Sequence, residues 1–378
     1  MVDKIPFNKP YLAGNELIYI GQAIASGKIS GGGIFTRKCH SYFQERYMFK
    51  KCLLTTSCTD ALEMAAILIG IEPGDEVIMP SYTFVSTATA FVLRGAKIHF
   101  VDSRLDHPGI DENAIEAQIT PKTKAIVVVH YAGFACDMDK IMGLANKYHL
   151  FVIEDAAQAV DAYYKGIPLG SIGHLAAFSF HETKNIISGE GGMLVVNDIR
   201  FMERAELIWE KGTNRSSFFR GEIDKYNWVD VGSSFLPSEM IAAFLYAQLE
   251  NLDGIQLKRG QIWNTYHDAF SSAVNRNLFQ MPKPNSYSSN NYHMFYLVCN
   301  SAEDRVKLIS FLKDRGISAV FHYQSLHSSP YYKNSHDGRH LRNSDFYSDC
   351  LVRLPFYYEL EPIDQKYIID SILNFYGH

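Results

Sequence analysis

The sequence predicts an α/β fold, in which a mostly parallel sheet is covered by helices on both faces. Short runs such as AIVVVH and LFVIE are apolar at almost every residue, which is typical of strands buried on both faces of a parallel sheet. These runs alternate with stretches of helical periodicity. At 378 residues, 47% of them hydrophobic, the chain is long enough for one large domain and a smaller one.

Seven strands are predicted in the first half of the chain. They are Cys52–Thr55, Glu76–Met79, Lys97–Val101, Ala125–His130, Phe151–Glu154, Ala176–Phe180 and Met193–Val196. The helical stretches between them are Thr59–Gly70, Thr83–Arg94, Asp111–Ala117 and Asp137–Tyr148. The last strand follows the one before it too closely for a helix to intervene, so part of the sheet is predicted to be antiparallel.

The pattern changes after residue 200. Helices are predicted at Phe201–Lys211, Ser238–Asn251 and Gly260–Ala273, and an irregular polar and aromatic stretch, GTNRSSFFRGEIDKYNW, separates the first two. The tail alternates again, with predicted strands and helices at His293–Cys299, Ala302–Arg315, Ser318–His322, Val352–Phe356 and Pro362–Phe375. We therefore expect a large α/β domain over residues 1–250 and a small C-terminal α+β domain over residues 251–378.

Composition and charge argue against several classes of protein. The net charge is -5 and no basic block is present, so there is no electrostatic reason to expect nucleic-acid binding. The six cysteines form no CxxC pair and no Cys/His cluster with zinc-ligand spacing, which predicts free thiols, a reducing compartment and no metal. The first residues lack the apolar core of a signal peptide, and no apolar run has the length of a membrane span. We therefore expect a cytoplasmic protein without a membrane partner.

Two clusters at strand ends carry the strongest chemical signal. In FVIEDAAQ, Asp155 comes just past a buried strand, and in AAFSFHETKN, Lys184 lies a few residues past another. In open α/β sheets, ligands bind outside the carboxyl ends of the strands, so both side chains are expected to point into one crevice. Taken singly, Asp155 reads as a helix N-cap and Lys184 as a solvated surface lysine.

An acid and a lysine in one crevice match the needs of pyridoxal 5'-phosphate (PLP). The lysine forms an imine with the cofactor aldehyde, and the acid pairs with the protonated pyridine nitrogen, which makes the ring an electron sink for a carbanion. The pyridinium in turn favours the ionised form of the acid. The pair therefore predicts a PLP enzyme in which Lys184 and Asp155 are catalytic.

The cofactor phosphate needs backbone N–H groups at the start of a helix. The segment LLTTSCTDALEMAA predicts a strand, a turn and a helix, and the first amides of that helix, at Cys58 and Thr59, suit a phosphate. Ser179 could add a hydroxyl to the same phosphate, although a small polar residue satisfied inside the sheet is an equal interpretation. Without the other clusters, this motif reads as an ordinary capped helix.

Two more positions suit the cofactor ring. The segment PSYTFVSTA places Tyr82 and Phe84 at another strand end, where an aromatic face can stack on the pyridine, and core packing is the alternative. Gln158, one helical turn beyond Asp155, is placed to reach the phenolic oxygen of the cofactor, or else is an exposed polar residue. The run Gly189–Gly192, GEGG, permits a sharp turn or a close backbone approach, and it is not a dinucleotide-binding fingerprint.

The motifs together resemble those of the DegT/StrS sugar-nucleotide aminotransferases. The resemblance rests on EVIMPSYTFVSTATAF, VVVHYAG, FVIEDAAQAV, FSFHETKN, GEGG and EKGTNRSSFFRG, and it runs from IPFNKP near the start to LVRLPFYYEL near the end. It implies a PLP-dependent type I fold, similar to that of aspartate aminotransferase, and a homodimer with active sites at the subunit interface. It also assigns Lys184 to the cofactor aldehyde and to proton transfer, and Asp155 to the pyridine nitrogen.

The same resemblance implies roles for the residues around them. Gln158 corresponds to the position that contacts the phenolic oxygen, Phe84 to the stacking position, and Cys58, Thr59 and Ser179 to the phosphate positions. Two positions depart from the pattern. Leu236 stands where some relatives place a phosphate-binding asparagine from the partner subunit, so that contact is not carried over, and Cys58 replaces the glycine or alanine of many relatives.

The substrates are also implied by the resemblance. The segments HETKN and KGTNRSSFFRGEIDKY are closest to the branch that serves enterobacterial common antigen, which moves an amino group from L-glutamate to C4 of dTDP-4-dehydro-6-deoxyglucose. The product of that branch is dTDP-4-amino-4,6-dideoxygalactose. Candidate contacts to the nucleotide-linked ketosugar are Tyr131, Asn214, Arg215, Arg220 and His322, because arginine forks suit a diphosphate or a carboxylate.

Other functions stay open at this point. A sister enzyme could aminate C3 of the sugar or act on a UDP-sugar. A non-catalytic PLP-binding regulator is a second alternative, since fold does not fix function, although no effector domain is visible. A nicotinamide oxidoreductase is disfavoured, because no GxGxxG follows a strand.

Overall fold

The computed structural model describes residues 4–377. Its strands are β1 (Cys52–Thr55), β2 (Glu76–Pro80), β3 (Lys97–Val101), β4 (Thr123–Val129), β5 (Phe151–Asp155), β6 (Tyr163–Tyr164), β7 (Ile167–Pro168), β8 (Leu175–Ser179), β9 (Gly192–Val196), β10 (Phe279–Gln280), β11 (Tyr296–Cys299), β12 (Val320–Phe321) and β13 (Leu351–Arg353). Its α-helices are α1 (Glu16–Ala25), α2 (Ile34–Tyr47), α3 (Cys58–Leu68), α4 (Val85–Val92), α5 (Met138–Tyr148), α6 (Met202–Trp209), α7 (Arg215–Phe219), α8 (Glu239–Glu250), α9 (Leu252–Asn275), α10 (Ala302–Asp314), α11 (Arg342–Cys350) and α12 (Pro362–Phe375).

Seven strands form the large sheet, in the order β1-β9-β8-β5-β4-β2-β3. The pairs β8–β5, β5–β4, β4–β2 and β2–β3 are parallel. Strand β9 pairs antiparallel with both of its neighbours, β1 and β8. The mostly parallel sheet and its antiparallel part, predicted from the short link before Met193, are both confirmed.

The apolar strand runs are explained by burial on both faces of this sheet. Successive side chains of a strand point to opposite faces, so alternate residues join different cores. In β4, Ile126 and Val128 pack into the core beneath α2 and α5, whereas Ala125 and Val127 pack into the core beneath α3 and α4. All four side chains are fully buried, which is why the run carries no polar residue.

A second, smaller sheet lies in the C-terminal part of the chain. Its four strands pair antiparallel in the order β10-β11-β13-β12. Residues of β11, α9, α10 and α12 share a core that includes Tyr266, Phe295, Leu312 and Ile368. Ile5 near the N-terminus forms a bridge with Ile317 and joins the same core, so the two ends of the chain meet there.

Several elements differ from the sequence-based predictions. The predicted helix Asp111–Ala117 is wrong, and only a 3-10 turn, Glu116–Gln118, forms near it. The reason is local: the Asp111 carboxylate accepts the backbone N–H of Asn113 at 3.0 Å, which competes with helix formation. The predicted helix Gly260–Ala273 is the C-terminal part of the longer α9. Helices α1, α2, α7 and α11 were not predicted.

The α1 helix escaped prediction because its pattern is not amphipathic in the usual sense. Leu17, Ile18 and Ile24 are all exposed, so the apolar residues do not mark one buried face. Over residues 4–377, no helix combines the length and the hydrophobicity that a bilayer span requires. The six cysteines are all free thiols, as expected.

Candidate active site

A cavity of about 550 Å³ opens between the large sheet and the small one. Its volume falls within the range of roughly 300–1,000 Å³ that small-molecule sites occupy. Its large-sheet wall includes Ser57, Cys58, Thr59, Asp155, Ser179 and Lys184, and its small-sheet wall includes His293, Phe321, His322, Tyr323 and Arg353. The carboxyl ends of parallel strands supply the first wall, which is where ligands of open α/β sheets bind.

Asp155 is the last residue of β5 and is held from two sides. Thr87, in α4, donates its hydroxyl to Oδ2 at 2.7 Å, and the backbone N–H of Ala157 donates to Oδ1 at 3.1 Å. Burial raises the pKa of the Asp155 carboxyl, and these two hydrogen bonds act in the opposite direction. The carboxylate is therefore fixed in place, and a cation in the cavity would stabilise its ionised form. Sequence reasoning missed Thr87, which lies in α4, 68 residues before Asp155 in the chain.

Lys184 lies in the link between β8 and β9. Its backbone N–H donates to the carbonyl of His181 at 2.9 Å, whereas its amine has no hydrogen bond or ion pair with any of residues 4–377. Burial is the main cause that lowers the pKa of Lys184 to about 8, and the positive charge of Arg353 acts in the same direction. A lysine of this kind is partly neutral near pH 8 and is available for reaction.

The start of α3 forms the third part of the large-sheet wall. Cys58 and Thr59 are its first two residues, so their N–H groups have no acceptor within the helix. Gly192, the first residue of β9, lies against them. A Cβ at Gly192 would come within 2.3 Å of the Ser57 carbonyl carbon and 2.4 Å of the Cys58 nitrogen, so only glycine fits. The GEGG run thus brings the helix start next to Ser179, which is paired with Gly192 across the sheet.

Gln158 and Phe84 also line the cavity. The Gln158 side chain is buried, accepts the N–H of Ala132 at 2.6 Å and donates to the hydroxyl of Tyr323 at 3.1 Å. Phe84 is 54% exposed, and its ring lies 5.8 Å from that of Tyr323. Both side chains therefore belong to the same cavity as Asp155. The other aromatic considered, Tyr82, is buried.

The small-sheet wall was largely missed by sequence reasoning. His293 is buried and its Nδ1 lies 2.7 Å from Oδ1 of Asn185, the residue after Lys184. Burial holds the pKa of His293 well below its usual value, and the charges of Lys184 and Arg353 lower it further. The imidazole is therefore neutral, so Asn185 accepts its Nδ1 proton, which fixes the tautomer.

Two predicted substrate contacts lie in or beside this wall. His322 lines the cavity, and its Nδ1 lies 2.9 Å from the hydroxyl of Tyr131. Tyr131 is buried behind it rather than among the lining residues. Burial also holds the pKa of His322 well below its usual value. The two side chains therefore form one neutral polar pair at the base of the wall.

The other three predicted substrate contacts lie outside the cavity. Asn214, Arg215 and Arg220 belong to an exposed segment around α7 and are not among the lining residues. Arg220 pairs with Glu206 at 2.9 Å and with Glu222 at 2.6 Å. Arg215 approaches Glu210 at 3.8 Å. Within one chain the structure does not bring them to the site. No group of three or more His, Cys, Asp or Glu side chains in the described part of the chain is arranged to hold a metal ion.

A model of the DegT/DnrJ/EryC1/StrS aminotransferase family matches residues 10–373. The chain belongs to this family. This aminotransferase is accordingly a PLP-dependent transaminase of the sugar-aminotransferase type, with the type I fold.

Solved structures of other proteins are similar to it over at least 99% of both chains. The aminotransferase TlmJ from Streptoalloteichus hindustanus is 26% identical, with a TM-score of 0.91 over 99% of both chains. DesV from S. venezuelae is 28% identical, with a TM-score of 0.89 over 100% of both chains. The putative sugar aminotransferase Spr1654 from Streptococcus pneumoniae, in its PMP form, shares the fold at 24% identity and a TM-score of 0.91, over 99% of both chains.

Proposed function

We propose that this aminotransferase transfers an amino group from L-glutamate to C4 of dTDP-4-dehydro-6-deoxy-D-glucose. The products are dTDP-4-amino-4,6-dideoxy-D-galactose and 2-oxoglutarate. The observation that carries the proposal is the amine of Lys184, which has no partner in residues 4–377 and shares one cavity with the buried Asp155 and the first amides of α3. The choice of ketosugar is supported by the HETKN and KGTNRSSFFRGEIDKY segments.

The large-sheet wall fits PLP. The two free N–H groups of Cys58 and Thr59 and the hydroxyl of Ser179 would hold the phosphate, which the close approach of Gly192 makes possible. Asp155 would pair with the ring nitrogen, Gln158 would reach the phenolic oxygen, and Phe84 would cover one face of the ring. When bound, PLP supplies an electron-deficient ring that stabilises negative charge on the reacting carbon.

Lys184 moves the proton in this scheme. Its amine must be neutral to accept a proton from a substrate carbon, and a pKa of about 8 makes that possible near neutral pH. Asp155 must be ionised to hold a proton on the ring nitrogen. Burial raises the pKa of Asp155, and a nearby cation would favour the ionised form.

A homodimer is part of the proposal. The segment that carries Asn214, Arg215 and Arg220 also exposes the large apolar side chains of Phe219, Tyr226, Trp228 and Val229. An exposed apolar segment of this kind suits contact with another subunit. In a homodimer, the two arginines would meet the diphosphate in the partner's cavity rather than in their own. We place the enzyme in the cytoplasm and in the supply of amino sugars for surface antigens.

The test is a product analysis. Purified protein with PLP is incubated with L-glutamate and dTDP-4-dehydro-6-deoxyglucose, and the sugar product is identified by NMR. We expect an axial amine at C4. An equatorial amine at C4, or an amine at C3, would contradict the substrate assignment, as would turnover of UDP-ketosugars alone. Absence of transfer to any ketosugar would contradict catalysis and favour a PLP-binding regulator.

A further inference from the structure

Asn291 is a buried residue that does not line the cavity, yet it is bonded to two segments that do. It lies in the irregular stretch between β10 and β11. Its side-chain Nδ2 donates to the backbone carbonyl of Gln158 at 2.8 Å and to that of Val160 at 2.9 Å. Its own backbone carbonyl accepts the side-chain amide of Asn185, the residue after Lys184, at 2.8 Å. One residue thus holds both the segment of Gln158 and the segment of Lys184.

The side-chain amide of Asn291 is hydrogen-bonded through its nitrogen alone. Both hydrogens of Nδ2 have carbonyl acceptors, so a turned amide would place its oxygen against two carbonyl oxygens. Oδ1 is buried and has no hydrogen-bond partner within residues 4–377. It lies against Gly133, where a Cβ would come within 1.9 Å of it. A buried oxygen without a donor costs free energy that an apolar side chain would avoid, so the two donated hydrogen bonds are what asparagine contributes here.

Gln158 is held at two points by this arrangement. Asn291 binds its backbone carbonyl, and its side-chain Oε1 accepts the backbone N–H of Ala132 at 2.6 Å. Ala132 has a φ of 57°, which is unfavourable for a residue with a Cβ, and it precedes Gly133, against which the Asn291 amide lies. With Oε1 occupied, one N–H of Nε2 donates to the Tyr323 hydroxyl at 3.1 Å, and the other has no acceptor within residues 4–377. Asn291 therefore supports both contacts that orient this amide.

The segment of Lys184 is held by the same residue. The Asn185 side chain donates to the Asn291 carbonyl and also to Oε1 of Gln256, each at 2.8 Å. Gln256 in turn donates to the Asn291 carbonyl at 3.2 Å. All three of these side chains are buried, so their hydrogen bonds are shielded from water. A displacement of Asn291 would therefore move the residue next to Lys184 as well as Gln158.

We propose that Asn291 is a positioning residue that sets the Gln158 amide and the Lys184 amine relative to each other. The inference rests on the proposed function, in which Gln158 reaches the phenolic oxygen of PLP and Lys184 its aldehyde. These two cofactor groups are attached to neighbouring carbons of the ring, so the two side chains must be placed relative to each other as well as to the sheet. Asn291 is 133 residues from Gln158 and 106 residues from Asn185, so neither motif indicates this connection.

The arrangement has a consequence for the absorption spectrum of the bound cofactor. Negative charge on the phenolic oxygen favours a proton on the nitrogen that joins Lys184 to PLP, because opposite charges at short range stabilise each other. A hydrogen bond from Gln158 to this oxygen weakens that effect and lowers the pH at which the nitrogen loses its proton. Displacement of the Gln158 amide should therefore raise this pH. Loss of the proton changes the visible absorption of bound PLP, so the change can be measured directly.

The first experiment is a pH titration of the PLP-loaded enzyme, followed by visible absorption without any substrate. Gln158→Leu should raise the midpoint by about 1 pH unit, because a hydrogen bond to a charged group is lost. Asn291→Asp should raise it by about 0.5 pH unit, since aspartate keeps the shape of asparagine but cannot donate to both carbonyls. Asn290→Asp is the matched control. This neighbour is partly exposed and its Oδ1 accepts the N–H of Tyr292 at 2.9 Å, which aspartate can also do, so the midpoint should not change.

The second experiment asks whether Asn291 acts through Gln158. In the double variant with Gln158→Leu and Asn291→Asp, the midpoint should lie within about 0.2 pH unit of that of Gln158→Leu, because the amide that Asn291 positions is absent. Single turnovers with L-glutamate give another readout. Asn291→Asp should lower the maximal rate about 10-fold and change the half-maximal concentration of L-glutamate less than about 2-fold, since Asn291 does not line the cavity.

The outcomes distinguish this inference from the proposed function. An unchanged midpoint in Gln158→Leu would contradict the contact of Gln158 with the phenolic oxygen, and the inference would fall with that part of the proposed function. A shift in Gln158→Leu without one in Asn291→Asp would overturn the inference alone, as would additive shifts in the double variant. Asn291→Ala, which removes both donors and adds no charge, takes the place of Asn291→Asp if the latter does not retain PLP. Because neither experiment uses a ketosugar, an error in the proposed sugar substrate would leave these results unaffected.

Discussion

The two walls of the cavity differ in how their polar groups are satisfied. On the large-sheet wall, Asp155 has two hydrogen-bond donors and the Thr59 hydroxyl donates to Ser86 at 2.8 Å. On the small-sheet wall, Arg353 has a buried Nε without an acceptor. Groups that hold one another suit a cofactor that stays bound through many turnovers. A charge left unsatisfied suits a ligand that enters and leaves in every cycle.

Hydrogen bonds of Asn185, the residue after Lys184, connect the two walls. The Asn185 side chain reaches Nδ1 of His293 at 2.7 Å, and it donates to the carbonyl of Asn291 and to the side chain of Gln256, each at 2.8 Å. All of these groups are buried or nearly so. The residue next to the proposed catalytic lysine thus fixes the position of the small-sheet wall. Variants can test whether the two walls act separately despite this connection.

The largest expected effect is at Lys184, on the large-sheet wall. Lys184→Met should lower amino transfer at least about 1,000-fold, because no other amine is placed to accept the proton. Lys165→Met, which removes an exposed lysine paired with Asp139, is the control and should retain full activity. Substantial amino transfer by Lys184→Met would contradict the assignment of proton transfer to Lys184.

A second change acts on the phosphate end of the large-sheet wall. Gly192→Ala should weaken PLP binding about 10-fold or more, because the new methyl group displaces the start of α3. Fluorescence quenching during PLP titration measures this affinity. Gly143→Ala is the matched control: Gly143 lies in α5 with no atom within 4 Å of an added Cβ, so PLP affinity should not change. Equal affinity in both variants would contradict the assignment of the phosphate to α3.

A third prediction concerns pH. The pKa of Lys184 is lowered from 10.5 to about 8, so the neutral amine predominates above pH 8. The rate at which PLP attaches to the cofactor-free enzyme should therefore rise about 10-fold between pH 7 and pH 9 and then level off. An ordinary lysine would give a rate that still rises above pH 10. In Arg353→Gln the midpoint should move to higher pH, because the charge of Arg353 helps to lower this pKa.

The smallest effect is expected at Cys58. Burial raises the pKa of its thiol, so the side chain stays protonated and contributes no charge to the phosphate site. Cys58→Ala should change PLP affinity less than about 2-fold, because the backbone N–H makes the contact. Titration of PLP under the same conditions as for Gly192→Ala measures it. A loss of tenfold or more would show that the sulfur itself takes part.

The strands of the large sheet could be predicted from the sequence because each is indicated by the residues within and next to it. Strand bounds Cys52–Thr55 and Lys97–Val101 agree with the structure, since the first is a short apolar run and the second alternates polar and apolar residues, each between turns. The strand-end rule also placed Asp155 and Lys184 at one cavity, where the structure has them. Both inferences use only the residues next to each position.

The rest depends on contacts between distant segments. Thr87 and Asp155 are 68 residues apart, and nothing in either motif indicates their hydrogen bond. Arg353 lies in β13. The sequence pattern there predicts a buried strand, but it does not indicate that Arg353 lines the cavity. The segment of Arg215 and Arg220 carries charges that suit a diphosphate, yet within one chain those charges pair with local glutamates. Periodicity predicts which face of a helix or strand is buried, but it does not predict which distant residues contact that face.

The link that carries Lys184 has a consequence for how the protein can change. It connects the adjacent strands β8 and β9. Two backbone hydrogen bonds cross it, from the Phe180 N–H to the Gly191 carbonyl at 2.8 Å and from the Glu182 N–H to the Gly189 carbonyl at 2.9 Å. Because both ends are anchored on adjacent strands, the lysine is preorganised rather than carried on a free arm. Insertions and deletions should thus be far less tolerated here than in the exposed segment around α7.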